Sequence, residues 1–302
     1  MTDAASHAAR QGALLVREPD RRVLAVTGPD RATWLNGVVT CDVSTVGPRQ
    51  AAFGLLLSKV GKIHTDFYVL SSPEALLLAC APGTFDLTLT ELERMLVMED
   101  AELGRPPGEL VCWFLHGPRG AELAQTVERA GVVSGALDLS GLGGAVLLVP
   151  ATEADAAAGE LVRQGAVLAD PEAWQTLRVE RGIGIFGIDY GAADNPHEAG
   201  LDRRAVSWNK GCYLGQEVVF MQDARGKLKR RLVELGVEGP APAAGTAVLT
   251  PGGEAVGEVT SSARSSVAPG SLALARVKAP HFEPGARLVV GAASATVRSE
   301  PV

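Results

Sequence analysis

The last seventy or so residues constrain the fold most. From Arg231 to Val302, Gly/Pro turns recur at Gly239-Pro240, Pro251-Gly252-Gly253, Pro269-Gly270 and Pro284-Gly285. Between them lie six short β-type runs: Arg231–Val237, Thr246–Thr250, Ala255–Thr260, Ser271–Val277, Arg287–Val290 and Ala295–Arg298. Runs this short, punctuated this regularly, leave no room for helices and predict a small antiparallel barrel or sandwich. The expected division is therefore a body over residues 1–230 and a β domain over residues 231–302, in keeping with a chain of 302 residues.

The body mixes strands and helices without strict βαβ alternation, which indicates an α+β fold. Arg22–Thr27 reads as a strand, turned at Gly28-Pro29-Asp30 into a helix ending at Asn36. Glu109–Leu115 repeats the unit, turned at Gly117-Pro118-Arg119 into a helix through Ala130. Ala52–Leu57, Lys62–Leu70 and Ala75–Cys80 are expected as strands, the first two joined around Gly61. Phe85, Leu89, Leu92 and Leu96 recur at helical spacing and predict a helix over 84–96. Gly144–Val149 continues the sheet, and the Ala-rich stretch Ala151–Gln164 is expected to be helical.

Charge and cysteine usage narrow the function. The net charge is −7, which argues against a surface built throughout for nucleic acid. Only six basic residues are Lys, and three of these fall between Lys210 and Lys229. Cys41, Cys80, Cys112 and Cys212 are scattered, with no C-x-x-C pair or Cys/His cluster, so no metal site or disulfide scaffold is expected. Residues 1–12 lack the pattern of a signal peptide, and no apolar window approaches the ~20 residues a membrane span needs. The expectation is a soluble cytoplasmic protein with no membrane contact.

The segment that stands out chemically is Lys210-Gly211-Cys212-Tyr213-Leu214-Gly215-Gln216-Glu217. Glycines on both sides leave the Cys212 thiol accessible, and a helix is expected over Gln216–Gln222. A helix start ahead and Lys210 behind would both favour the thiolate, the form a reactive cysteine requires. The competing reading is a small buried cysteine. The basic run Arg225, Lys227, Lys229, Arg230 and Arg231 is either a solvated entry to the tail or an anion site for a polyglutamate, phosphate or RNA backbone.

Lys210–Glu217 resembles the K-G-C-Y-x-G-Q-E signature of the YgfZ family of folate-binding proteins, relatives of the glycine-cleavage T-protein (aminomethyltransferase). Trp34-Leu35-Asn36-Gly37 with Thr40 and Asp42-Val43 is similar to an early family stretch, as are Gly61-Lys62-Ile63 with Asp66-Phe67, and Leu177-Arg178-Val179-Glu180 with Gly182-Ile183. Ser207-Trp208 resembles a T-protein S-W pair, and Gly257-Glu258-Val259-Thr260-Ser261 resembles the family's tail-domain G-x-[VL]-T-S. The resemblance implies a T-protein-like α+β body of two interleaved subdomains, partly ferredoxin-like, with a central folate channel and a C-terminal antiparallel β-barrel. It also implies tetrahydrofolate or a derivative as cofactor, and iron–sulfur client proteins as partners, some of them tRNA-modifying enzymes.

One departure separates this chain from T-proteins. They carry two adjacent Asp in the strand matching Lys62–Leu70, the first catalytic; here the pair is Thr65-Asp66. A Thr hydroxyl does not replace a carboxylate as acid or base, and alternation points Asp66 to the opposite face. Glycine-cleavage activity is therefore not expected. The expected catalytic group is Cys212 with Lys210 tuning it. The expected ligand contacts are Asp66 and Glu180 as carboxylates, Trp208 as aromatic face, Arg178 and Tyr213. A folate-dependent aminomethyltransferase or demethylase is the alternative, and an RNA- or protein-docking module using Arg225–Arg231 is a third reading.

Overall fold

A computed structural model describes residues 3–298 except 19, 227, 267 and 268, and except the side chains of Asp3 and Arg225. The body runs α1 (Asp3–Gln11), β1 (Leu14–Glu18), β2 (Val23–Thr27), α2 (Arg31–Asn36), β3 (Arg49–Leu57), β4 (Ile63–Ser71), β5 (Leu76–Cys80), α3 (Phe85–Glu93), β6 (Glu102–Gly104), β7 (Leu110–His116), α4 (Gly120–Ala124), β8 (Val133–Ala136), β9 (Gly144–Pro150), α5 (Ala154–Arg163), β10 (Val167–Leu168), α6 (Pro171–Glu180) and α7 (Gln216–Arg225). The tail adds β11 (Arg230–Val237), β12 (Ala247–Leu249), β13 (Ala255–Arg264), β14 (Ser271–Lys278), β15 (Arg287–Val290) and β16 (Ala293–Val297). These six close into a barrel in the order β11-β14-β13-β12-β15-β16, every pairing antiparallel. Closure leaves no free strand edge.

The ten body strands form one sheet of two halves, β6-β2-β5-β4-β3 and β8-β9-β7-β1-β10, meeting where β3 runs parallel to β8. Each half contains one strand–turn–helix unit, β2–α2 and β7–α4, turned at Gly28 and Gly117, both at positive φ. The predicted repeat is thus present, but its second helix stops at Ala124 instead of Ala130. The helix expected over 84–96 is also shorter, ending at Glu93 with the chain turning through 94–96. Helices α1 and α6 and strand β1 were not anticipated. Asp170 caps α6 by accepting from the Ala173 amide at 2.7 Å, ahead of Pro171 at the first turn.

Alternation along the strands builds several cores at once. On β4, Phe67 and Val69 face α2 and α3, while Tyr68 and Leu70 face the centre. On β7, Trp113 and Leu115 pack towards α4 and α5, and Cys112 and Phe114 face the centre. The barrel does the same: Ala273, Ala275 and Val277 of β14 fill its interior, and Leu272 and Leu274 point outward into the central cluster. Residues from both sheet halves, the 181–215 segment and the barrel wall therefore share one central core. His116 lies within it, stacked on Phe114 at 4.2 Å and Trp174 at 5.0 Å, and burial holds it neutral with a pKa near 3. Among the described residues no helix is long and apolar enough to cross a membrane.

Glu234 faces outward from β11 against the body and is only 3% exposed. Arg298 Nε reaches its carboxylate at 2.6 Å but is itself half exposed, so burial prevails and pushes Glu234 up to about 7. A carboxyl raised in the folded state favours folding when protonated, so its contribution is present below the unfolded value and lost as pH rises through 7. Thermal unfolding of the wild type should therefore lose midpoint between about pH 5 and 7.5, and Glu234→Gln should flatten that slope. An unchanged slope in the variant would show that another group governs it.

Candidate functional site

The segment from 181 to 215 has no helix or strand of its own apart from an isolated Phe186–Tyr190 bridge, yet it carries a cluster of buried polar side chains: Asp189, Asp194, Asn195, His197 and Asp202. Long irregular segments in a compact body are usually functional or held by polar contacts. Here the contacts are explicit. Tyr190 Oη donates to Asp66 Oδ2 at 2.7 Å, and Arg21 Nη1 pairs with Asp66 Oδ1 at 2.9 Å. Arg21 also reaches Glu18 at 3.1 Å and the Ala79 carbonyl at 3.1 Å, and its guanidinium lies 4.2 Å from the Tyr68 ring centroid. Asp66 is 1% exposed, so both oxygens are committed to buried partners. Thr65 lies on the opposite, helix-covered face, hydrogen-bonded to Thr84 at 2.6 Å.

The expected ligand residues do not converge. Arg178 is 3% exposed and spends its guanidinium on Asp189 (2.9 Å), Gln175 (2.9 Å) and Ser261 of the barrel (2.7 Å). Burial lowers its pKa despite that carboxylate. Glu180 binds Arg10 of α1 at 3.1 Å and accepts from the Ser266 amide and hydroxyl. Both residues join the body to the barrel and neither reaches Asp66. Trp208 donates from Nε1 to the Asp202 carbonyl at 3.0 Å, and its ring meets His197 and Phe220. It has no partner in common with Asp66. Tyr213 is buried, its hydroxyl unpartnered and pushed up to about 12 by burial.

The 210–217 segment is anchored at both ends. The Lys210 ammonium donates to the carbonyls of Asn36, Val39 (2.7 Å) and Cys41 (2.8 Å), where the chain leaves α2. Its hydrogen bonds thus go to backbone carbonyls and none goes to Cys212, so the contacts make Lys210 a brace for the loop. Gly215 precedes α7 at φ 81°, and a Cβ there would lie 2.8 Å from the Ser58 carbonyl. That position needs glycine twice over. Between the anchors Cys212 is exposed, whereas Cys41, Cys80 and Cys112 are buried. Burial raises Cys41 and Cys80 to about 12, and Cys112 further still.

Within the basic run, Arg230 pairs with Asp194 at 2.7 Å and Arg231 with Asp202 at 3.4 Å, so both turn inward. Lys227 and the Arg225 side chain lie outside the described residues. Sequence reasoning missed Arg21, Tyr190 and Glu18; the Asp66 partners lie 45 and 124 residues away along the chain, and no local spacing marks them. A cleft of about 950 Å³ opens beside them, lined by Arg17, Glu18, Arg21, Arg22, Phe85, Arg105 and Cys112 among others. Among the described residues no three His, Cys, Asp or Glu are grouped to hold a metal ion.

Residues 230–302 match the family model of the glycine cleavage T-protein C-terminal barrel domain. The structure superposes on the glycine cleavage system aminomethyltransferase T of Bartonella henselae with a TM-score of 0.82, covering 99% of this chain and 88% of that one at 20% identity. The fold is T-protein-like over 99% of the chain. Its sequence is 27% identical to the aminomethyltransferase of Herpetosiphon aurantiacus over 98% of this chain and 85% of that protein. It is also 27% identical to the Streptomyces coelicolor aminomethyltransferase, over 87% and 77%. The tRNA-modifying protein YgfZ of Yersinia enterocolitica is 26% identical over 76% of this chain and 73% of its own length.

Two outcomes check this geometry. In the native protein a short iodoacetamide time course should label Cys212 at least about tenfold faster than the three buried cysteines, because only a solvent-reached thiolate reacts. Comparable labelling of all four would place Cys212 in the interior. Lys210→Met strands three carbonyls and should cost ~2–4 kcal/mol in unfolding free energy, given that hydrogen bonds to charged groups contribute ~1.5–3 each. A cost below ~0.5 kcal/mol would remove the bracing role.

Proposed function

We propose that this chain is a folate-binding accessory protein of iron–sulfur metabolism, of the YgfZ kind, in which the T-protein scaffold binds the cofactor without carrying out aminomethyl transfer. The observation that carries this is the state of the two residues at the T-protein carboxylate pair. Thr65 is bonded to Thr84 on the far face, and Asp66 is held by Arg21 and Tyr190. No carboxylate is left free there to take a proton from a one-carbon donor, and proton transfer needs one within hydrogen-bond reach.

The cleft beside Arg21 suits a folate by its chemistry. A pterin needs an acceptor for its amino–imino edge, which Glu18 supplies from the cleft lining. The glutamate end needs cations, and Arg17, Arg22 and Arg105 line the same cleft. When bound, a reduced folate supplies a one-carbon carrier or a redox-active ring; the side chains named here bind and orient it. Asp66 and Arg21 form the wall behind it, in place of the Arg178, Glu180 and Trp208 set expected from sequence. Support for the iron–sulfur part comes from the K-G-C-Y-L-G-Q-E signature, its exposed Cys212 and the similarity to the YgfZ protein. One thiol does not hold a cluster, since clusters take about four ligands, so the remaining cysteines would come from a client.

The test is a calorimetric titration with tetrahydrofolate alongside a transfer assay with a methylamine donor such as sarcosine. Saturable binding is expected, weakened at least about tenfold (1.4 kcal/mol) in Arg22→Ala/Arg105→Ala, with no methylene-tetrahydrofolate formed. Thr65→Asp is expected to leave that product undetected as well, because the new carboxylate faces α3. Turnover by the wild type would identify an aminomethyltransferase or demethylase and overturn the reading.

A further inference from the structure

A groove of about 670 Å³ runs beside the exposed Cys212, between α2 and the turn that follows α3. None of its lining residues belongs to the folate cleft. Trp34, Val38, Met95 and Leu214 give it apolar walls. They are firmly set, because Trp34 is buried and its Nε1 donates to the Met95 carbonyl at 3.2 Å. The charged groups of the lining are of one sign, Asp30 and Glu99, with no Lys or Arg. Asp30 accepts from the Asp100 amide at 2.8 Å, and Glu99 from the Met98 and Val97 amides at 3.1 and 3.2 Å. Backbone amides, that of Met98 first, hold the Glu99 carboxyl below its ordinary value, so it stays charged. Among the described residues, neither of these carboxylates nor the neighbouring exposed Asp100 has a cationic partner. Between the lining residues Met95 and Glu99, Val97 and Met98 are 80% and 92% exposed, the two most exposed large apolar side chains described. Single exposed apolar side chains are ordinary; two in succession at the edge of an apolar groove mark a contact surface.

We infer that this groove docks a segment of a partner protein that carries Lys or Arg beside an apolar side chain, and presents that segment to Cys212. Charge selects the occupant. An acidic segment or a nucleic-acid backbone would set like charge against Asp30 and Glu99, which slows encounter and weakens the complex. A lysine or arginine supplies the counter-charge that the chain itself withholds, and the carboxylate oxygens not used by backbone amides accept charge-assisted hydrogen bonds from it. An apolar side chain of the same segment packs among Trp34, Val38 and Met95, and Met98 is an unbranched side chain that adapts to whatever meets it. The groove's volume falls within the range of specific binding sites. Because Cys212 is part of the lining, a seated segment lies against the thiol. That the partner is an iron–sulfur client rests on the reading above; the charge and apolar character of the segment rest on the groove alone.

Two short synthetic peptides test it on the full chain, one Lys/Leu-rich and one Glu/Leu-rich, each with a single cysteine carried as its mixed disulfide with thionitrobenzoate. The Cys212 thiolate attacks the peptide sulfur and forms a protein–peptide disulfide; the bond to thionitrobenzoate breaks, and that coloured thiolate leaves with the electron pair. The basic peptide should react at least about tenfold faster than the acidic one, with a rate that saturates. Cys212→Ser should abolish the release. Asp30→Asn/Glu99→Gln keeps an oxygen for the backbone amides at each position, and should bring the two rates within about twofold of each other. Val97→Ser/Met98→Ser, at exposed positions, should raise the half-saturating concentration of the basic peptide at least about fivefold. Equal rates for the two peptides in the wild type would overturn the inference, as would a preference that survives the double carboxylate variant. A rate that stays linear to millimolar peptide would also overturn it, and so would a homodimer closed over Cys212 in sedimentation, since the occupant would then be a second copy. Tetrahydrofolate binding without any peptide preference removes the groove alone; the preference without tetrahydrofolate binding removes the folate reading alone.

Discussion

Two neighbouring residues, Asp189 and Tyr190, hold the three parts of this molecule in register. Asp189 is fully buried and accepts from Arg178 of α6, from Thr260 and Ser261 of the barrel at 2.6 Å each, and from the Ile185 amide. Its own carbonyl accepts from Arg276 at 2.8 Å. Tyr190, the next residue, reaches across to Asp66 on β4, and Asp66 holds Arg21 between β1 and β2. One dipeptide thus links the first sheet half, the helix that follows the second, and the barrel. Such buried charges cost several kcal/mol each to desolvate and are tolerable only when fully paired. The network is therefore close to all-or-none: removing one member leaves the others buried and unmatched.

Under the proposed function, that dependence would let a T-protein-like frame lose the transfer reaction and keep the fold. The carboxylate of β4 is needed to complete the network, so it is conscripted as structure. The places the network leaves open are the 950 Å³ cleft outside Arg21 and the loop that presents Cys212. That loop is rigidly mounted, because Lys210 ties it to the end of α2 and Gly215 seats it on the β3–β4 turn.

What could be read from the sequence was whatever is encoded locally. All six barrel strands were legible because Gly/Pro turns bound each run, and β12 to β16 begin or end within a few residues of expectation. The exposure of Cys212 was legible for the same reason, through its flanking glycines. The partners of Arg178, Glu180 and Trp208 were not legible, because a charged or aromatic residue does not announce its partner. Ser261 lies 83 residues from Arg178, and Ser266 lies 86 from Glu180. Arg21 is the clearest case, since it sits in a polar turn whose composition reads as solvated. Helix α6 was encoded locally by Asp170-Pro171 and was simply passed over.

The central claim is that Asp66 is a structural member of a buried ion pair and not a reactive acid. A double-mutant cycle on Arg21→Gln and Asp66→Asn, read as unfolding free energy, tests it most directly. Each single variant should cost ~3–5 kcal/mol, since it leaves a buried partner unpaired, and the double variant should cost less than the sum by at least ~2 kcal/mol. Single costs below ~0.5 kcal/mol that simply add would contradict the account and return Asp66 to the list of candidate catalytic groups.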